Sequence, residues 1–206
     1  QIAGEVIATP GCESNVKEIF DKTWELRRTR EDAVIFNQFE EMGNVLWHYQ
    51  VTGKAIADAY ESLKTERSRF AGACFTSGSA GTMSAGDYLK EIYPNAKLAA
   101  GEALQCPTLL NNGFGGHRIE GIGDKHVPWV HNVKNTDMVI AIDDEDSQNL
   151  LRMFNTEEGH QYLADVAGVP QKTIDDLAML GISGIANVLC CIKFAKYYEL
   201  TSDDVV

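Results

Sequence analysis

With 206 residues, 44% of them hydrophobic, the chain can bury a substantial core as one domain, or as one domain plus a fragment of another. Its formal net charge of -12 excludes the clustered cations that nucleic-acid phosphates or an anionic membrane surface require, so neither is expected as a partner. The five cysteines (Cys12, Cys74, Cys106, Cys190 and Cys191) form no CxxC pair and no metal-like spacing with histidine. They read as reduced thiols, Cys190 and Cys191 as small buried hydrophobes in an apolar helix. No apolar run approaches the ~20 residues of a membrane span, and no signal-peptide pattern opens the sequence. These features predict a soluble, cytoplasmic protein.

The first predicted element is a short strand at 5–9, closed by the turn Pro10-Gly11. The sequence opens on Gln1 rather than Met and enters this strand directly, which leads us to expect a chain that starts partway through a larger protein. Val16, Ile19, Phe20 and Trp24 recur at helical spacing and predict a helix over 15–28 with Ser14 as N-cap. The compact run 33–36 reads as a buried parallel strand. A long helix follows over 45–63, then a strand at 70–75, the small-residue loop 76–82 and a helix over 83–92. A strand is predicted at 97–102, and 104–132 is Gly-rich with little periodicity. The run 138–142 is a clear strand, and Asp143-Asp144 opens a helix with carboxylates at its positive end. Two or three helices fill 146–180, and 185–198 is a helix apolar on most faces, as burial requires. Strands alternating with helices predict an α/β fold: an open, mostly parallel sheet with helices on both faces.

The loop Gly78-Ser79-Ala80-Gly81-Thr82 lies between a predicted strand and a helix. Small residues let backbone N–H groups approach a phosphate, the helix N-terminus adds a favourable dipole, and Ser79 and Thr82 add hydroxyls. No Gly-Lys-Ser/Thr follows, so this is not a P-loop. Upstream stand Asn37-Gln38-Phe39, Asn44, His48-Tyr49 and Thr52-Gly53; downstream stand His117-Arg118-Ile119-Glu120-Gly121-Ile122-Gly123, Val127-Pro128 and Gly181-Ile182-Ser183-Gly184-Ile185-Ala186-Asn187. In this order the motifs resemble the NQF…N…HY..TG, GTGGT, H-K-I-x-G-I-G…P and GISSGAN segments of pyridoxal-phosphate enzymes of the cysteine synthase and cystathionine β-synthase family. The resemblance covers residues 30–200, the C-terminal part of such an enzyme.

The resemblance implies the fold type II architecture, with the cofactor in the cleft between a large domain and a smaller, mobile one. Residues 1–32 would be the end of the smaller N-terminal domain and 33–206 the large cofactor-binding domain. It further implies that Gly78, Ser79, Ala80, Gly81 and Thr82 hold the phosphate of pyridoxal phosphate, that Gln38 lies near the substrate carboxylate, and that Gly121 presents backbone to the cofactor ring or substrate. Ser183 would partner the pyridine nitrogen, a hydroxyl there favouring β-elimination over transamination. The implied reaction is β-elimination or β-replacement on cysteine, serine or O-acetylserine, in a homodimer or with a chain that supplies the N-terminal part.

The sequence departs from the family pattern in several places. Ala80 stands where the cup has glycine, Ser183-Gly184-Ile185 replaces Ser-Ser-Gly, Glu40-Glu41-Met42-Gly43 follows the NQF run, and 165–180 is longer than expected. The family's Schiff-base lysine lies upstream of the match. The lysines present read as solvated surface or helix-end residues, Lys125 and Lys134 alone lying in or near the Gly-rich stretch. His48 reads as a packing or hydrogen-bonding residue, and the spacing of His117, His126 and His131 is not that of a metal site. Two other readings stay open: a desulfhydrase or ammonia-lyase of the same fold, and a non-catalytic fragment or partner chain.

Overall fold

The computed structural model describes residues 4–11 and 16–206. In chain order it forms α1 (Lys17–Thr29), α2 (Met42–Trp47), a π-helical segment (His48–Gly53), α3 (Lys54–Leu63), β1 (Arg69–Phe70), β2 (Gly72–Thr76), α4 (Met83–Ile92), β3 (Lys97–Ala103), α5 (Thr108–Asn111), β4 (Met138–Ile142), α6 (Asp144–Asn155), α7 (Glu157–Asp165), α8 (Gln171–Leu177), α9 (Ile182–Tyr197) and β5 (Asp204–Val205). Strands β2, β3 and β4 make a parallel sheet in that order, with Cys74 opposite Ala99 and Gly101 opposite Ile140; β1 and β5 make a separate parallel pair.

Alternation along each strand sends side chains to two different helical layers. Ala73, Phe75, Leu98 and Ala100 pack with Met83, Ala85 and Leu89 of α4. Ala99, Ala103, Ile140 and Ile142 pack on the other face with Ala186, Cys190 and Phe194 of α9. The small residues of β3 let a helix approach from each side, and α9 is apolar enough to lie under this layer with Phe194 fully buried. Burying one such side chain stabilises by about 1.5–3 kcal/mol. A third cluster, Phe154, Leu163, Ile174 and Ile185, joins α6, α7 and α8 to α9.

The predicted boundaries of α4 and β4 match the structure, the strand expected at 70–75 is split between β1 and β2, and three further predicted elements differ from it. Residues 5–9 form no strand, with Val6 and Ile7 exposed. The run 33–36 is irregular, with Val34 78% and Phe36 87% exposed. A short apolar run becomes a strand only beside a neighbour that takes its N–H and C=O groups, and neither run has one among the described residues. The helix expected over 45–63 is interrupted by the π-helical turn, which packs on α4: the Tyr49 ring meets Tyr88 edge-on at 5.5 Å, and a Cβ on Gly53 would stand 2.8 Å from that of Tyr88. The proposed cap Ser14 lies outside the described residues.

Asp137 fastens the sheet just before β4. Its carboxylate accepts from Lys90 (2.6 Å), Lys97 (3.2 Å) and the Leu98 amide (2.8 Å). Burial pushes this carboxyl up, but Lys90, the Leu98 amide and Lys97 together outweigh it and hold the pKa below its ordinary 3.8. A depressed acid contributes stability that is present above 3.8 and is lost as pH falls through the folded value. Asp137→Asn is therefore expected to lower stability by about 1–2 kcal/mol at neutral pH. In urea titrations the gap should close as the pH falls below 3.8.

Candidate active site

The site begins where β2 ends. Asn187 of α9 holds that end: the Thr76 amide donates to its Oδ1 (2.8 Å), and its Nδ2 donates to Thr76 Oγ1 (3.1 Å) and to the Ser183 carbonyl (3.1 Å). The next residue is held as well, the Ser77 amide donating to the Gly101 carbonyl and the Gly123 amide to that of Ser77, each at 2.8 Å. The chain then turns through 78–82 into α4. Among the described residues, no acceptor takes the backbone N–H groups of 78–82, while those of Met83, Ser84 and Ala85 bond back to Ala80, Gly81 and Thr82. Free amides stacked on the N-terminus of a ten-residue helix make a cradle for an anion.

Ala80 adopts φ +62° and is almost fully buried. An L-residue in this left-handed region carries about 1–2 kcal/mol of strain, whereas glycine, which the resemblance would place here, adopts it freely. Gly81 is needed for a different reason. A Cβ there would stand 2.3 Å from Asn44 Oδ1, because the Asn44 side chain crosses the loop. Asn44 Nδ2 donates to the Gln38 carbonyl (3.0 Å) and to Ser79 Oγ (3.2 Å), clamping the segment after residue 36 onto the cradle. Asn37 is buried and shapes that segment, its Oδ1 accepting from the Phe39 amide (3.1 Å).

A cavity of about 350 Å³ opens beside the cradle, within the range of small-molecule sites. Its walls are Gln38 with neighbours 36–39, the edge of the cradle at Gly78 and Ser79, the turn Gly121-Ile122-Gly123, and the Val16, Ile19, Phe20 and Thr23 face of α1. Gly121 and Gly123 both have φ +87°, and a Cβ on Gly121 would meet only open space. Of the residues singled out in the sequence, Gln38, Gly78, Ser79 and Gly121 line this cavity. Ala80, Gly81 and Thr82 form the turn behind its wall, and Ser183 lies in the first turn of α9, outside the lining. Among the described residues, no lysine lines the cavity. Lys125 instead stands over the Phe114 ring at 5.0 Å, and Lys134 is exposed.

Behind Gly78 and Gly123 lies a small recess holding two buried acids, Glu102 and Asp124. Glu102 accepts from the Leu109 and Leu110 amides at 2.8 Å each and so caps α5. Burial pushes its carboxyl up against the pull of these amides, and burial does the same to Asp124, against the pull of the His126 amide and ring. His48 has the hydrogen-bonding role read from the sequence, its Nδ1 2.9 Å from Thr52 Oγ1, with burial lowering its pKa. Asn44 stood inside a recognised motif without an assigned role, and Glu102 gave no sequence signal beyond an acid at the end of a small-residue strand.

No family model matches the chain. Over 156 residues it is 30% identical to a probable cysteine synthase of Bacillus subtilis, covering 75% of this chain and 49% of that protein. Over 158 residues it is 31% identical to a cysteine synthase of Staphylococcus aureus, covering 75% and 48%. A hydrogen sulfide-producing enzyme from Fusobacterium nucleatum superposes with a TM-score of 0.68 at 28% identity, over 90% of this chain and 49% of that one. An O-acetylserine dependent cystathionine beta-synthase from Helicobacter pylori shares the fold, with a TM-score of 0.66 at 24% identity over 92% and 53%. The chain spans about half the length of the curated relatives it matches.

Proposed function

We propose, on the premise that this chain belongs to the cysteine synthase family of fold type II pyridoxal-phosphate enzymes and corresponds to its C-terminal part, that the protein carries out β-elimination or β-replacement on a small amino acid: cysteine, serine or O-acetylserine. The observation that carries this reading is the run of free amides at 78–82, opening beside a cavity large enough for a small cofactor and its substrate. The residues present fit pyridoxal phosphate. The amides of Gly78, Ser79, Ala80, Gly81 and Thr82, with the hydroxyls of Ser79 and Thr82, hold its phosphate at the N-terminus of α4. Asn44 fixes the cradle's shape through Ser79.

When bound, the cofactor supplies the electron sink that lets a β-substituent leave and a nucleophile take its place. The protein's part is to position and exclude. Gln38, on the wall facing the cradle, orients the substrate carboxylate. Gly121, with no side chain, lets ring or substrate approach its backbone. Phe20 and Phe39 give the cavity apolar walls. Ser183, outside the cavity lining but tied through Asn187 to the strand end that carries the cradle, would be the partner of the pyridine nitrogen. The lysine that binds the cofactor aldehyde comes from outside the described lining. We place residues 1–32 in a smaller domain and 33–206 in the large one, a division supported by α1 forming one wall of the cavity. A second copy of the protein, or a chain completing the N-terminal part, is the partner this reading requires. The family's amino-acid chemistry and the scattered cysteines support a cytoplasmic setting. Among the described residues, no single helix is long and apolar enough to cross a membrane.

The visible spectrum of the purified protein tests this reading. Pyridoxal phosphate is expected to give an absorbance band that moves when L-cysteine or O-acetylserine is added. A protein that stays colourless with the cofactor present would favour the non-catalytic alternative, and product analysis would separate synthase from desulfhydrase or ammonia-lyase.

A further inference from the structure

The walls of the cavity come from separate stretches of chain, and what fixes them against one another sets its width. The 36–39 segment is held to the cradle by Asn44, which bonds the Gln38 carbonyl and Ser79 Oγ. The 121–123 turn is held to the same strand end by the Gly123 amide on the Ser77 carbonyl. The α1 wall is joined differently. None of its residues is buried. Among the described residues, every side-chain hydrogen bond and ion pair of 17–32 stays within that segment, as in Lys17 with Asp21, Lys22 with Glu25 and Arg30 with Asp32. Such local pairs steady a helix without attaching it to its surroundings. The ring of Phe20 does attach it. It meets Phe39 edge-on at 5.4 Å and lies 6.5 Å from the His126 ring, tilted by 37°. Both distances fall in the range of favourable aromatic pairs.

His126 stands on a firm base. Asp124 is buried, and its carbonyl accepts from the Thr108 hydroxyl. Its Oδ1 accepts from the His126 amide (3.2 Å) and lies 3.8 Å from the ring Nδ1. The His126 side chain is itself exposed, so it fills no core space. Phe39 reaches Phe20 from the chain that follows α1, whereas His126 reaches it from just beyond the 121–123 turn and so completes the circuit of walls. We propose that His126 is a positioning residue for the cavity: held by Asp124, it presents its ring to Phe20 and fixes α1 in place as a wall. The enclosure is shut while the two rings touch and opens when they part, so this contact governs how fast a ligand leaves. That the ligand is pyridoxal phosphate rests on the proposed function; the attachment of α1 does not.

Hydrogen exchange of the purified protein, followed peptide by peptide by mass spectrometry, tests the attachment. His126→Ala should speed exchange in α1 by about three- to tenfold, the worth of one aromatic pair, and leave β3 and α4 as in wild type. His126→Phe, which puts a ring back, should restore the protection; a general loss of structure would not be mended in this way. Loaded with pyridoxal phosphate and then diluted, His126→Ala should release the cofactor faster than wild type by a similar factor, and His126→Phe at the wild-type rate. Unchanged exchange in α1, exchange raised equally in β3 and α4, no recovery with phenylalanine, or unchanged release from His126→Ala would each overturn the proposal. A wild-type protein that binds no pyridoxal phosphate would overturn the proposed function instead, and exchange in α1 would still decide whether His126 holds the wall.

Discussion

Gly72→Ala is expected to lower the stability of the protein by about 3 kcal/mol or more, at the upper end for overpacking a core. Gly72 opens β2 in register with Lys97. A Cβ at this position would stand 2.1 Å from the Lys97 carbonyl oxygen and 2.7 Å from Phe194 Cζ. The first neighbour is backbone of the paired strand and cannot swing aside. The second is a fully buried ring in the core beneath the sheet. Relief requires β2 to part from β3 or α9 to lift, and either movement disturbs the Thr76–Asn187 bonds that hold the strand end. Urea denaturation should show the midpoint fall with little change in slope. A variant as stable as wild type would mean that the close packing of α9, β2 and β3 is wrong.

The second large effect is expected on binding. Gly81→Ala places a methyl 2.3–2.6 Å from the Asn44 side-chain amide. That side chain can move, but only by giving up its bonds to Gln38 and Ser79. The cradle then loses its clamp, and pyridoxal phosphate should bind about tenfold to a hundredfold more weakly, ~1.4–2.8 kcal/mol. The argument makes a second demand. In Asn44→Ala the clamp is already gone, and with it the atoms nearest the added methyl, so the double variant should bind no worse than Asn44→Ala alone. Independent, additive losses would show that Gly81 acts by some route other than Asn44.

Fold and site were legible in the sequence to different depths. The alternation of apolar runs with helical periodicity places α4, β3 and β4 to within a residue or two, because these elements bury both faces of a sheet or one clear helical face. The same apolar signal misleads at 33–36. There Val34 and Phe36 are largely exposed, and of the run Phe36 alone lines the cavity. Composition carries no information on whether a neighbour exists to complete the ladder. The π-helical turn is likewise invisible to a 3.6-residue period, and it packs against the Tyr88 ring, more than thirty positions away.

The site shows the same division. The cradle is read from small residues between a strand and a helix, and among the described residues no acceptor takes the 78–82 amides. What the spacing could not give is the clamp. Asn44 matters because its side chain reaches residue 79, a distance in sequence that no local pattern encodes.

The central claim is that the cradle recognises phosphate, and the measurement that meets it most directly compares pyridoxal phosphate with pyridoxal by equilibrium dialysis against the purified protein. The two ligands share ring and aldehyde and differ in the phosphate group. The account predicts about one pyridoxal phosphate per chain, with pyridoxal bound at least ~100-fold more weakly, as expected for an anion at several free amides and a helix N-terminus. Equal affinity for the two, or affinity for neither, would contradict it.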